Sequence, residues 1–93
     1  MLLVAQVYVD PQPTPNPNAM KFNVSVQVTS GKSESYSSKE QAESSPLARA
    51  IFALDGVTGV FMLNNFVTVN KSESASWNDL VGDVVEAIES ALG

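Results

Sequence analysis

Two runs rich in β-branched and aromatic residues, 57–63 and 66–70, are separated only by Asn64-Asn65, a pair that tolerates the positive φ of a tight reversal. A chain built this way must form an antiparallel hairpin, and the even-numbered loop fixes side-chain parity across it. Val60, Val67 and Val69 then share one face, and Phe61, Phe66 and Thr68 share the other. Both faces carry large apolar groups, which a sheet covered on one side only cannot fully hide.

The rest of the chain is read around that hairpin. Residues 5–10 alternate Ala5, Val7 and Val9 against Gln6, Tyr8 and Asp10, the pattern of a half-buried strand. Pro11, Pro13, Pro15 and Pro17 follow and are expected to end it, since each lacks an N–H donor. Phe22, Val24, Val26 and Val28 alternate with Lys21, Asn23, Ser25 and Gln27, predicting a second strand over 21–28 with one dry face. Residues 29–44 are polar and serine-rich. Ser30-Gly31 reads as a turn and 34–37, around Tyr36, as a short third strand.

Ser45-Pro46 is a helix start, with Ser45 as cap and Pro46 at a first position where its missing N–H is not needed. Leu47, Ile51 and Leu54 give that helix its apolar stripe, and Gly56 is expected to stop it in a left-handed conformation. Ser76 to Asp79 resembles a capping box opening a longer helix, in which Trp77, Leu80, Val81, Val84, Ile88 and Leu92 recur at helical spacing. The fold class that follows is α+β: one domain over 1–93, a two-layer, mainly antiparallel β-sheet with two helices on one face, in the order β-β-β-α-β-β-α. Mixed pairing near the first helix is left open.

No cysteine and no histidine occur in the 93 residues. Disulfides are excluded, so the apolar core alone must stabilise the fold. The usual nucleophile, the usual acid–base group near neutral pH and the usual ligands of zinc, copper and iron–sulfur clusters are also missing. The expectation is therefore a protein without catalytic residues, without a metal site of its own and without a cofactor. Ten acidic against five basic residues give a net charge of −5, and the cations Lys21, Lys32, Lys39, Arg49 and Lys71 are scattered. Neither nucleic acid nor an anionic membrane surface is expected as a partner. The apolar opening 1–5 is too short to span a bilayer and has no basic segment before it, so it reads as the start of a strand rather than as a targeting signal, and the absence of cysteine fits a cytoplasmic address.

One set of blocks carries a family resemblance. It comprises Thr14-Pro15-Asn16-Pro17-Asn18-Ala19-Met20-Lys21-Phe22, then Ser45-Pro46-Leu47-Ala48 with Ile51-Phe52, and Gly56-Val57 with Val60-Phe61. Phe66-Val67-Thr68-Val69, Lys71 and Trp77 complete it. In this order they resemble the N-terminal domain of Nfu/NifU-type iron–sulfur scaffold proteins. The resemblance implies a β-β-β-α-β-β-α fold and an association with iron–sulfur cluster biogenesis. In full-length scaffolds a separate C-terminal domain holds the cluster through a Cys-x-x-Cys pair, and these 93 residues contain no cysteine. The chain therefore looks like a free-standing accessory domain or a piece of a longer protein, and cluster binding does not carry over.

Two groups of residues are candidates for partner binding. Pro15 and Pro17 stiffen the 14–18 loop, so that Thr14, Asn16 and Asn18 present a rigid polar surface, or else satisfy backbone groups where two strands meet. Phe61 and Phe66 lie on the open face of the sheet if the valines face the helices, and would then form a protein-interaction or self-association patch, near Leu63 or Tyr8. Lys71 is placed to contact an anionic partner or simply to be solvated, and Trp77 to anchor the last helix with its indole N–H on a carbonyl. Asp79, Asp83 and Glu86 share a helical face that reads as solvated rather than as a calcium site. The expected function is a non-catalytic module contacting iron–sulfur assembly proteins or apoproteins, as a monomer or weak homodimer. The alternative is a general protein–protein or self-association domain unrelated to clusters.

Overall fold

A computed structural model describes residues 7–92. Its strands are β1 (Val9–Pro13), β2 (Ala19–Val24), β3 (Glu34–Tyr36), β4 (Val57–Leu63) and β5 (Phe66–Lys71). The helices are α1 (Lys39–Ala42), α2 (Pro46–Phe52) and α3 (Trp77–Leu92). The five strands form one sheet in the order β1-β2-β5-β4-β3, and every neighbouring pair is antiparallel, so the mixed pairing left open does not occur among the described residues.

The expected hairpin is β4–β5, with Asn64-Asn65 as its loop and Asn64 at φ 53°. Its register pairs Val60 with Val69 and Met62 with Val67, and these four side chains are buried. Phe22 and Val24 of β2 join them from across β5. Leu47, Ala48, Ile51 and Phe52 of α2 with Val84 and Ile88 of α3 close the same core from the other side. The valines thus face the helices, and the fold is the two-layer α+β arrangement expected.

Four details differ from the reading of the sequence. First, β1 does not end before the prolines but runs through Pro11 and Pro13. It is an edge strand, and residues two apart point their backbone groups the same way, so both proline nitrogens can face away from β2, where no donor is needed. Ala5 and Gln6, read as part of this strand, lie outside the described residues.

Second, β2 begins at Ala19 and leaves the ladder after Val24. Val26 and Val28 still pack on the core, because the chain bends around the hairpin tip. Val28 N–H donates to the Asn64 carbonyl at 2.6 Å, and Asn64 N–H donates to the buried Thr29 hydroxyl at 3.0 Å.

Third, a one-turn helix, α1, stands in the serine-rich stretch. Its signal was Ser38-Lys39-Glu40-Gln41, the spacing of a capping box. The Ser38 hydroxyl accepts from Gln41 N–H, the Gln41 amide oxygen accepts from Ser37 N–H, and Ala42 is fully buried beneath them.

Fourth, α2 ends at Phe52, before Gly56. Gly56, at φ 95°, serves the turn that leads into β4, where Val57 N–H reaches the Leu54 carbonyl at 3.4 Å.

Two glycines should answer the same substitution with opposite signs. A Cβ on Gly56 would sit 2.7 Å from Ala75 Cβ at a φ of 95°, so Gly56→Ala should destabilise the fold by about 1–3 kcal/mol. Gly82 lies on the exposed side of α3 with nothing near its missing Cβ, and Gly82→Ala should stabilise by about 0.5–1 kcal/mol. Urea unfolding of both variants checks the pair.

Candidate functional site

The sheet gathers the candidate residues in two places. At one end, the 14–18 loop joins β1 to β2 and meets the last residue of β5 and the first of α3. The Thr14 hydroxyl accepts from Asn16 N–H and lies 2.9 Å from the carbonyls of both Asn16 and Ala19. Asn16 Oδ1 accepts from Asn18 N–H at 2.9 Å, and the Asn16 carbonyl accepts from Ala19 N–H at 3.0 Å. Short polar side chains here replace the ladder bonds that a reversing backbone loses.

Lys71 ties this loop to β5. Its backbone N–H donates to the Asn18 carbonyl at 2.8 Å, and Nζ donates to Asn18 Oδ1 at 3.0 Å and to the Ser72 carbonyl at 3.2 Å. Trp77 supplies the wall. Its indole N–H donates to the Pro17 carbonyl at 3.0 Å, as expected of an anchor, while its ring lies 6.3 Å from that of Phe22 and 5.9 Å from Lys71 Nζ. Thr14, Asn16, Asn18 and Lys71 are thus one connected cluster; the side chains of Thr14 and Asn16 satisfy backbone groups, whereas that of Asn18 meets the Lys71 ammonium.

Phe61 and Phe66 are not part of that cluster. They stand on the sheet face opposite the helices, as diagonal neighbours across the hairpin, with ring centroids 6.0 Å apart. Both are half-buried, as is Leu63 opposite Phe66. One member of this patch was not singled out from the sequence. Lys21, on the wet side of β2, places Nζ 4.5 Å from the Phe66 centroid. Its signal was the register: Lys21 pairs with Thr68, beside Phe66, but that pairing is known only once β2 lies next to β5. Tyr8 is the exposed large apolar residue of the described chain.

Beyond these two places, Asp79, Asp83 and Glu86 are exposed along α3. Near the first turn of α2, the Tyr36 hydroxyl donates to Glu34 Oε1 at 2.6 Å. That bond to the carboxylate, with burial adding in the same sense, holds the phenol above its ordinary value of 10.0.

A family model described as scaffold protein Nfu/NifU N terminal matches residues 9–93. The chain is 39% identical over 82 residues to NifU-like protein 5, mitochondrial, of Arabidopsis thaliana, covering 88% of this chain and 30% of that protein. It is 36% identical over 84 residues to a mitochondrial NFU1 iron–sulfur cluster scaffold homolog of Drosophila persimilis, covering 88% of this chain and 29% of that protein. The chain therefore spans under a third of the length of these curated relatives. A solution structure of a NifU-like protein from Saccharomyces cerevisiae superposes with a TM-score of 0.83 at 25% identity, covering 100% of this chain and 86% of that one. A crystal structure of a Staphylococcus aureus protein superposes with a TM-score of 0.77 at 26% identity, covering 91% of this chain and 100% of that one. The cytoplasmic address read from the sequence does not stand, because the curated relatives are mitochondrial proteins. Freedom from cysteine and an acidic surface suit more than one compartment, so neither carries an address.

Two measurements test the local chemistry. Trp77→Phe keeps a ring over Phe22 but removes the indole donor, and should cost about 1 kcal/mol in urea unfolding. A phenol whose folded pKa lies above its unfolded value adds stability that is complete below the unfolded value of 10.0 and is lost as pH rises through the folded one. Tyr36 should accordingly lose its proton later than a free phenol in an ultraviolet titration, and Glu34→Gln should bring its midpoint down.

Proposed function

The chain belongs to the scaffold protein Nfu/NifU N-terminal family, and from that premise we propose that it is a non-catalytic protein-contact module of iron–sulfur cluster assembly that does not itself ligate the cluster. The observation that carries this reading is the aromatic patch on the open sheet face. Phe61, Leu63 and Phe66 stand there among Asn23, Thr68 and Asn70, on the side of the sheet away from α2 and α3. Paired aromatic rings with a cation stacked on one of them supply the desolvated area and the orientation that protein contacts use. An apolar partner surface that brings carbonyl or carboxylate oxygens to Lys21 fits it.

The chemistry of the side chains supports the division of labour. Clusters are held by cysteine thiolates, with histidine as the common substitute, and these 93 residues contain neither. A groove of about 730 Å³ is bordered by Ser72, Ser74, Ser76, Asp55, Asp79 and Asp83. It offers hydroxyls and exposed carboxylates without an imidazole to activate them, a poor setting for nucleophilic chemistry. The scaffold partner, or the apoprotein receiving the cluster, then supplies the thiolates, and this domain supplies contact.

Phe61→Ser and Phe66→Ser together should leave the fold intact, since both rings lie outside the core, and should abolish co-purification with iron–sulfur assembly proteins. Retention of those partners by the double variant would overturn the assignment of the patch. Failure of the unaltered chain to retain any assembly protein would overturn the function itself.

A further inference from the structure

We infer that the 14–18 loop is a carboxylate-binding site, in which Asn18 Nδ2 and the ammonium of Lys71 together take one acidic side chain of a partner protein. The inference rests on the protein-contact reading above for the carrier of the carboxylate. The chemistry of the site follows from the loop's own hydrogen bonds.

Those bonds use up acceptors and leave donors. An asparagine amide has one carbonyl oxygen and one NH₂ group, and which end points where is settled by what it meets. At Asn18 the neighbour is an ammonium, which only donates, so the end facing Lys71 Nζ at 3.0 Å is Oδ1. At Asn16 the neighbour is the Asn18 backbone N–H, also a pure donor, so Oδ1 faces it at 2.9 Å. Both NH₂ groups therefore point away from their internal partners, and neither donates to a described residue. The ammonium has three N–H groups, of which Asn18 Oδ1 and the Ser72 carbonyl take two. No buried side-chain nitrogen or oxygen among the described residues lacks a partner, so the unpartnered Asn18 Nδ2 is open to solvent, and Lys71 Nζ keeps a third N–H beyond its two bonds.

The geometry suits a carboxylate. Asn18 Nδ2 is bonded to the same carbon as the oxygen that touches Lys71 Nζ, so the amide donor and the third ammonium donor lie within reach of one planar, two-oxygen group. Rigidity favours it as well. Pro15 and Pro17 restrict the loop, Thr14 pins its two ends, and the Trp77 indole holds the Pro17 carbonyl, so little ordering is left to binding. Charge selects the ligand. A single ammonium neutralises one negative charge, and on a chain of net −5 a monoanion is tolerated better than a phosphate dianion.

The test uses the whole 93-residue chain, with amide and side-chain NH₂ resonances and the emission of the single tryptophan, Trp77, as readouts. The probes are a short peptide with one Glu among neutral residues, the same peptide with Gln, sodium acetate and inorganic phosphate. The Glu peptide should shift the Asn18 NH₂ resonances and the Trp77 emission saturably, and the Gln peptide should do neither.

Asn18→Asp keeps the oxygen that Lys71 bonds, replaces the outward donor with a second acceptor and neutralises the ammonium, so it should fold normally and bind at least about tenfold more weakly. Lys71→Met should weaken binding to a similar degree, and should Lys71→Met fail to fold, Asn18→Asp decides. Phe61→Ser with Phe66→Ser should leave this binding unchanged, which separates failure of the site from failure of the sheet-face patch. No saturable response, an equal response to the Gln peptide, or undiminished binding by Asn18→Asp overturns the site. Acetate binding as tightly as the peptide overturns a protein as the carrier, and tighter binding of phosphate overturns the selection for a monoanion.

Discussion

The two-residue reversal at Asn64-Asn65 is the constraint on which the rest of the structure turns. With Asn64 at φ 53° and Leu63 opposite Phe66, every residue of β4 and β5 is committed to a face. Val60, Met62, Val67 and Val69 are thereby sent to the helices, and Phe61, Leu63 and Phe66 to the other side. A slip of one residue would exchange the two sets, leaving α2 and α3 to pack on aromatic rings while four branched or flexible apolar groups faced solvent. Segment 24–29 reinforces the choice, because its bonds to Asn64 and Asn65 are available only when that tip is closed. Core and candidate contact surface are thus two consequences of one turn.

How much of this was legible in the sequence depended on whether the signal was local. Hairpin parity, the Ser45-Pro46 helix start and the α3 stripe are carried by residues a few positions apart, and each was read correctly. The Trp77 indole on a carbonyl also followed from local chemistry, since a tryptophan near a helix start needs an acceptor, although nothing in the pattern named Pro17 as the one that provides it. The misplaced end of β1 has a long-range cause. Pro11 and Pro13 break a central strand but not an edge strand, and which strand is at the edge is settled by pairing between β2 and β5, more than forty positions apart in sequence. The same long-range pairing brought Lys21 to Phe66. Only α1 was missed despite a local signal, the Ser38…Gln41 spacing, which was hidden among so many serines that the whole stretch read as loop.

The sequence already separates the 14–18 loop from Phe61 and Phe66; what it does not give is the group to which Lys71 belongs. Thr14, Asn16, Asn18 and Lys71 converge, as do Phe61 and Phe66, yet the two groups occupy different sides of the molecule. Residue 71 of β5 has the parity of Val67 and Val69, which turn toward the helices, whereas Phe66 and Thr68 turn away from them. Position within one strand does not make one site. Lys71 goes with Trp77 and the loop; Phe66 goes with Lys21 and the sheet face.

The prolines connect these two surfaces to the question of why the domain stays available for partners. An antiparallel sheet with an open edge invites a further strand, whether from another copy or from a stray peptide. On β1 the alternate residues Pro11 and Pro13 withdraw two backbone donors from that edge, and β3, at the other edge, is only three residues long. Strand addition is therefore discouraged at both sides of the sheet. Pro15 and Pro17 continue the same spacing into the loop, where the Thr14 hydroxyl supplies a donor to a backbone carbonyl and Asn16 Oδ1 accepts the Asn18 N–H. A proline every second residue over 11–17 thus protects the edge and then stiffens the loop, leaving recognition to side chains rather than to backbone ladders. Under the proposed contact function, specificity lies in the amide, ammonium and ring groups that the domain displays, since it has neither thiol nor imidazole.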